Sequence, residues 1–341
     1  MLRARARRTA AVSALLLAVP LALTACGKTE MGPQPTVVGK FGAAPKVTIP
    51  KENAGDNLTI KTLSQGKGRE IKKNDLAIAN YVGYTWNGKT SKKAASSWEM
   101  GAPQAFPVGQ LVKGLDQGMI GQKVGSRVQI VIPPKDGYGT QGQSQAGISG
   151  NDTLVFVVDL LGVYDKSATV NGKKASDGGG DLPTVADQGA GKAPKLTLPK
   201  NDPPSDLQSK TLVEGTGPEV KEKQLVVAKY EGAVWRSAAD DKQKPKKGTK
   251  NLANGGIFDS TWKPTQGRVV GQPSAFTLTS GSATGQGVIK GWVDGLVGKK
   301  VGSRVLVTVP PADGYGKTGQ PSAGIRPNDT LVFVIDILGA H

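Results

Sequence analysis

The 341-residue chain has one histidine, His341, and one cysteine, Cys26. So sparse a set excludes a Ser-His-Asp or Cys-His catalytic arrangement and a histidine metal cluster. No P-loop or dinucleotide fingerprint stands between a strand and a helix. An enzyme built on this chain is therefore expected to work without histidine, thiol, metal or cofactor. Cys26 has no partner for an intrachain disulfide. Aromatic residues are only 5% of the chain, so the places where they gather are informative. Long apolar runs are also missing, with one exception near the start.

That run, Ala10 to Ala22, follows Arg3, Arg5, Arg7 and Arg8 and precedes Leu23-Thr24-Ala25-Cys26-Gly27. It is shorter than the roughly 20 apolar residues that span a bilayer and has the length of a signal-peptide core. A branched residue, two small ones and a cysteine match the bacterial lipobox, in which the cysteine is lipidated. The expectation is a lipoprotein signal over residues 1–25, a lipid on Cys26 and a tether over 26–43. The remainder is then extracytoplasmic, anchored to the outer face of the cell membrane. Arg7-Arg8 lacks the rest of a twin-arginine signal. The formal charge is +17, and without the four signal arginines 40 basic against 27 acidic residues leave +13. Export makes nucleic acid an unsuitable partner for this charge. Anionic lipid or cell-wall polymers fit it better, and a solvated surface with no specific partner fits it as well.

The chain repeats itself. Pro134-Lys135-Asp136-Gly137-Tyr138-Gly139 returns as Pro311-Ala312-Asp313-Gly314-Tyr315-Gly316, and Asn151 to Gly162 returns as Asn328 to Gly339. An internal repeat sets the domain count. The N-terminal parts align at an offset of 149 and the C-terminal parts at 177, so the second copy holds 28 extra residues. About half of them lie between Trp235 and Trp262, around the Lys-rich run Lys242 to Lys247, and read as a surface-loop insertion. The domains are then 44–165 and 193–341. Residues 166–192, rich in Gly, Asp, Lys and Ala, read as a flexible linker.

Strand signals dominate each copy. Leu225 to Tyr230 is β-rich, Ser303 to Val309 alternates, and Thr330 to Leu338 ends apolar on both faces, as a central strand does. One helix is expected over Val288 to Leu296, with Gly298 as its stop. The class is α+β, an antiparallel twisted sheet wrapped on one short helix in each copy.

Six motifs then occur in order over about 110 residues of the second copy. They are Tyr230-Glu231-Gly232, Phe258-Asp259-Ser260, Val288-Ile289-Lys290-Gly291-Trp292, Gly298 to Gly302, Tyr315 to Gly319, and Asn328 to Val334. In this the second copy resembles FKBP-type peptidyl-prolyl isomerases. The resemblance implies two FKBP-like modules acting on X-Pro bonds of exported polypeptides. It also implies a pocket with Trp292 as the floor, Tyr230, Phe276 and Phe333 as walls beside Phe258, and Val288, Ile289 and Ile325 at the rim. Asp259 and the Tyr315 hydroxyl would supply polar contacts, and the Ile289 amide would hold a peptide carbonyl. A flap-loop histidine of many relatives is Gln320 here, and an aromatic often found two residues before Phe276 is Ser274. Phe276 and Phe333 also fit a purely core role, and Asp259 a surface turn.

The first copy keeps Tyr81, Phe106, Tyr138, Ile148 and Phe156. It has Ala94-Ala95 for Phe258-Asp259, Leu115 for Trp292, and Leu111-Val112 for Val288-Ile289. Its pocket is expected to be degenerate, with turnover mainly in the second copy. A non-catalytic peptide-binding or holdase chaperone at the cell envelope is the alternative.

Overall fold

The computed structural model describes residues 32–189, 191–242, 252–264, 269–281 and 287–341. Cys26 and the lysine run beyond Lys242 lie outside the described residues. Module 1 comprises β1 (Thr36–Val38), β2 (Lys46–Thr48), β3 (Thr59–Ser64), β4 (Leu76–Trp86), β5 (Ser91–Ser96), α1 (Ser97–Met100), β6 (Gln104–Pro107), α2 (Lys113–Met119), β7 (Arg127–Ile132) and β8 (Thr153–Tyr164). After β9 (Lys173–Lys174), module 2 comprises β10 (Thr184–Ala186), β11 (Lys195–Thr197), β12 (Gln208–Glu214), β13 (Leu225–Trp235), α3 (Ala238–Asp241), β14 (Ile257–Ser260), β15 (Ser274–Thr277), α4 (Lys290–Leu296), β16 (Arg304–Val309) and β17 (Thr330–Ala340).

Every pairing within the two large sheets is antiparallel. Module 1 runs β3-β7-β8-β4-β5, with β6 also on β4. Module 2 runs β14-β13-β17-β16-β12-β9, with β15 also on β13. The central strands are covered on both faces, which is why β16 is buried along its length and β17 along most of it. On the inner face lies the short helix. A Cβ on Gly291 or Gly295 would come within 2.4 or 2.8 Å of Val309 or Val307, so only glycine lets α4 lie this close to β16. The helix begins at Lys290, two residues later than expected. Ile289 is still extended, and Val288 bridges Ser280.

The outer face explains two departures from the sequence reading. Residues 36–43, expected as tether, include β1, which pairs with β2; Arg127 donates to the Ala43 carbonyl, and the Gly42 amide donates to Asp159. Residues 166–192, expected as a flexible linker, are strapped to module 2. There β9 pairs with β12, β10 pairs with β11, and Val185 is buried with Leu212, Trp235, Leu306, Val332 and Val334. In module 2 the strap shields Trp235, a strand tryptophan of the outer face, whereas Trp86 of module 1 packs with Ile49 and Ala54. Both copies hold the covering chain in one further way. A buried bidentate Arg–Asp pair beneath the shield, Arg127–Asp159 or Arg304–Asp336, supplies charge for the covering chain to bond.

The modules also dock on each other. Leu76 and Ile78 of module 1 pack with Leu225 and Val227 of module 2 in one buried cluster, joined by Leu161, Leu338, Ala105 and Ala275. Each of these residues faces the region occupied by its own repeat counterpart. Gly162 lies against the His341 ring and Gly339 against the Tyr164 ring. The Tyr164 hydroxyl and His341 Nε2 are 2.8 Å apart. The interface thus has the self-complementary character of an isologous dimer within one chain. Burial pushes the His341 pKa down and the neighbouring Tyr164 pKa up to about 12. A histidine with a lowered native pKa contributes least stability when protons are abundant. Docking is expected to be firmest above the ordinary histidine value of 6.5 and to weaken as pH falls below it. Thermal unfolding at pH 5 and 7.5 checks this, since a His341→Phe variant should lose that part of the pH dependence.

Candidate active site

Module 2 gathers its rings by backbone geometry. The β13–β14 register shifts between Gly232 and Ala233, leaving Phe258 as the extra residue. A bulge re-aims a side chain, and here Phe258 meets Phe333 edge-on at 5.6 Å. A Cβ on Gly232 would come within 2.6 Å of Phe258 and 2.8 Å of Phe333, so the Tyr-x-Gly motif makes space for this pair. Trp292, 5% exposed, then meets three rings at steep angles: Tyr230 at 5.0 Å, Phe276 at 4.7 Å and Phe333 at 5.1 Å. Such edge-to-face contacts suit the ring quadrupoles.

These residues line a cleft of about 790 Å³. Of the sequence-derived candidates, it brings together Tyr230, Phe258, Asp259, Phe276, Val288, Ile289, Trp292, Tyr315 and Phe333. Asp259 accepts a hydrogen bond from the Tyr230 hydroxyl at 2.5 Å. Burial raises the Tyr315 pKa, and the Asp259 charge raises it further, so the Tyr315 hydroxyl stays a protonated donor at neutral pH. The cleft thus joins an apolar aromatic base to a single carboxylate. Among the described residues, no group of three His, Cys, Asp or Glu side chains could hold a metal.

Ile325 departs from expectation. It is 2% exposed and belongs to the core cluster, not to the cleft lining. Its loop is pulled inward because Gln320 pairs with it through backbone bonds in both directions. Ser274, read as the place of a lost wall aromatic, does line the cleft, and the sequence reading missed Ala275 and Lys290 beside it. Lys290 is held at the mouth by Asp294 and Asp313. It also missed Arg236, 1% exposed at the side chain, which bonds Asp329 through two nitrogens at 2.7 and 2.8 Å and also reaches the Leu252 carbonyl. Asp329 in turn caps the Arg326 amide at 2.7 Å. Arg236 therefore ties the insertion to the flap loop. The available signal was that the equivalent position in module 1 is Asn87.

Module 1 repeats the frame. Ser97 accepts from the Tyr81 amide as Thr261 accepts from the Tyr230 amide. Ala95 stands opposite Gly83 as Asp259 stands opposite Gly232, and Ala94 takes the bulge. Tyr81 keeps ring contacts to Phe106 at 5.4 Å and Phe156 at 6.1 Å. Leu115 is buried in the core, Leu111, Val112 and Ile148 pack partly buried against it, and Tyr138 is exposed. Burial alone pushes the Tyr81 pKa up. Ala95 offers its hydroxyl no carboxylate in the place Asp259 holds for Tyr230.

The family model for FKBP-type peptidyl-prolyl cis-trans isomerases matches residues 67–161 and again 217–338. The chain is 34% identical over 121 residues to an FK506-binding protein of Streptomyces anulatus, covering 35% of this chain and 96% of that one. It is 38% identical over 126 residues to FK506-binding protein 2 of Dictyostelium discoideum, covering 36% and 85%. It is 33% identical over 112 residues to the FKBP-type isomerase FkpA of Escherichia coli, covering 33% of this chain and 40% of that one. The two family matches together take in more than half of the chain and fall on the two copies of one fold. The chain therefore belongs to the FKBP-type peptidyl-prolyl cis-trans isomerase family and is a tandem isomerase.

Proposed function

We propose that module 2 carries most of the turnover, acting on X-Pro bonds of exported polypeptides by desolvating them in its aromatic cleft. The observation that carries this reading is the Tyr230–Asp259 pair beside Trp292, for which module 1 has Ala95 and Leu115. Rotation about an X-Pro bond has no covalent step. Its barrier is amide resonance, about 18–20 kcal/mol, and it turns over uncatalysed in tens of seconds. Resonance puts negative charge on the carbonyl oxygen, which water stabilises in the ground state. A cleft walled by Trp292, Tyr230, Phe276 and Phe333 withdraws that water and favours the twisted, less polar transition state. Trp292 seats the proline ring, the Ile289 amide holds a neighbouring carbonyl, and the Tyr315 hydroxyl and Asp259 orient the chain at the mouth.

The signal-like start and Cys26 support export and anchoring by lipid at the outer face of the cell membrane. The net +13 of the remainder supports contact with anionic lipid or wall polymers. Module 1, with its rings but Ala95 where Asp259 stands in module 2, favours peptide binding over turnover, and this supports a holdase contribution as the second reading.

Asp259→Asn keeps the shape and removes the charge. Losing a hydrogen bond to a charged group is expected to lower kcat/KM on an X-Pro peptide by about ten- to a hundredfold. Parental activity in that variant rejects the site. Fractionating cells that express Cys26→Ser tests the anchor, which fails if the variant stays with the membrane.

A further inference from the structure

The strand that bears Phe276 is poorly held by its own module. β15 has four residues and pairs only with β13 among the described residues. Alternate residues on a strand face opposite ways. Phe276 turns inward onto Trp292, while Ala275 turns outward into the buried cluster with Leu76, Ile78 and Leu161 of module 1. The two outward residues of β13 that flank this point, Leu225 and Val227, sit in the same cluster. Two residues before β15, Gln272 is 3% exposed and donates to the Asn74 carbonyl of module 1 at 3.0 Å. One residue earlier, Gly271 lies beside Lys166 of the strap. The back of one cleft wall is thus built from the other module.

We propose that module 1 is a positioning element of the module 2 site: its docked face sets β15, and through β15 the place of Phe276. This rests on the reading of the module 2 cleft as the catalytic one. The functional isomerase unit is then the tandem. A module whose own pocket lacks the Phe-Asp pair is kept for the face opposite that pocket. Leu161 and Gln272 act through Phe276 and lie outside the cleft lining.

The test uses the full chain. Leu161→Asp puts a charge on the module 1 face at a partly buried site, and Gln272→Ala removes the cross-module hydrogen bond from the other side. Each is expected to raise KM for an X-Pro peptide about fivefold with kcat little changed, as a loosened binding wall does. Amide hydrogen exchange in Ala275–Thr277 should quicken while that of Arg304–Val309 stays slow. Leu161→Met should restore parental values. If Gln272→Ala and Leu161→Asp both keep parental KM and parental exchange in β15, while Asp259→Asn is impaired, the positioning role is wrong. If Asp259→Asn is fully active, the cleft assignment fails instead, and β15 exchange alone decides whether module 1 holds the strand.

Discussion

Trp292→Ala is expected to abolish measurable isomerisation by module 2 and to destabilise that module by about 3–5 kcal/mol, the usual cost of truncating a buried large aromatic. The indole is 5% exposed and is contacted edge-on by three rings at 4.7 to 5.1 Å. Its removal opens a void among Tyr230, Phe276 and Phe333, and none of these can close it without leaving the strand that fixes it. For a domain of this size the loss lowers the melting midpoint by about 6–20 °C. Trp292→Leu separates the two effects by copying module 1, where Leu115 fills the equivalent core. That variant is expected to keep most of the stability and still lose most of the activity, because leucine gives the proline ring a smaller, non-aromatic floor. Calorimetry beside a peptide assay reads both quantities. Parental kcat/KM in Trp292→Leu would remove the indole from the mechanism.

Asp329→Ala is expected to cost module 2 a similar amount, about 3–5 kcal/mol, by a different route. It strips the Arg236 guanidinium, 1% exposed at the side chain, of its buried carboxylate and leaves, among the described residues, only the exposed Asp241 at 3.9 Å. Desolvation that the ion pair now offsets becomes uncompensated. The damage also reaches the site. Asp329 caps Arg326, next to the core residue Ile325, and Arg236 holds the Leu252 carbonyl of the insertion. The flap loop that carries Tyr315 loses its anchor, so KM is expected to rise as stability falls. Replacing both partners with apolar residues, Arg236→Met with Asp329→Leu, should cost less than Asp329→Ala alone, since no buried charge is left unpaired. Denaturant unfolding of the two single variants and the double variant forms a cycle. A double variant less stable than Asp329→Ala would refute the account.

Much of the site was legible because its signals are local. Tyr230-Glu231-Gly232 and Phe258-Asp259 lie on adjacent strands. Each motif is readable within a few residues, although the bulge that turns Phe258 inward and the missing Cβ of Gly232 that admits it join two different strands. The contrast with Ala94-Ala95 needed only the repeat. Ile325 was misplaced because its burial depends on a loop closing through Gln320, which no side-chain pattern announces. Arg236 was passed over because a lone arginine after a strand reads as surface until Asp329, 93 residues later, is seen beside it.

The strap and the module interface show where sequence reading stops. Residues 166–192 look like linker because their composition is polar and small, yet Leu182 and Val185 suffice to pin them over Trp235. The phrase Pro35-Thr36-Val37, echoed as Pro183-Thr184-Val185, marked the covering strands in both copies, but three residues are a weak signal without the register that pairs them. By itself the sequence determined the α+β fold, its duplication and which copy holds the Phe-Asp pair and the tryptophan, because strand alternation is a local pattern and the two copies can be compared position by position. Only the tertiary structure decided that the supposed linker shields Trp235, that the end of the supposed tether bonds Arg127 and Asp159, that Ile325 is core, and that module 1 backs the Phe276 wall. Those outcomes rest on which apolar face covers which, and contacts such as Tyr164 to His341 join residues 177 apart in the chain.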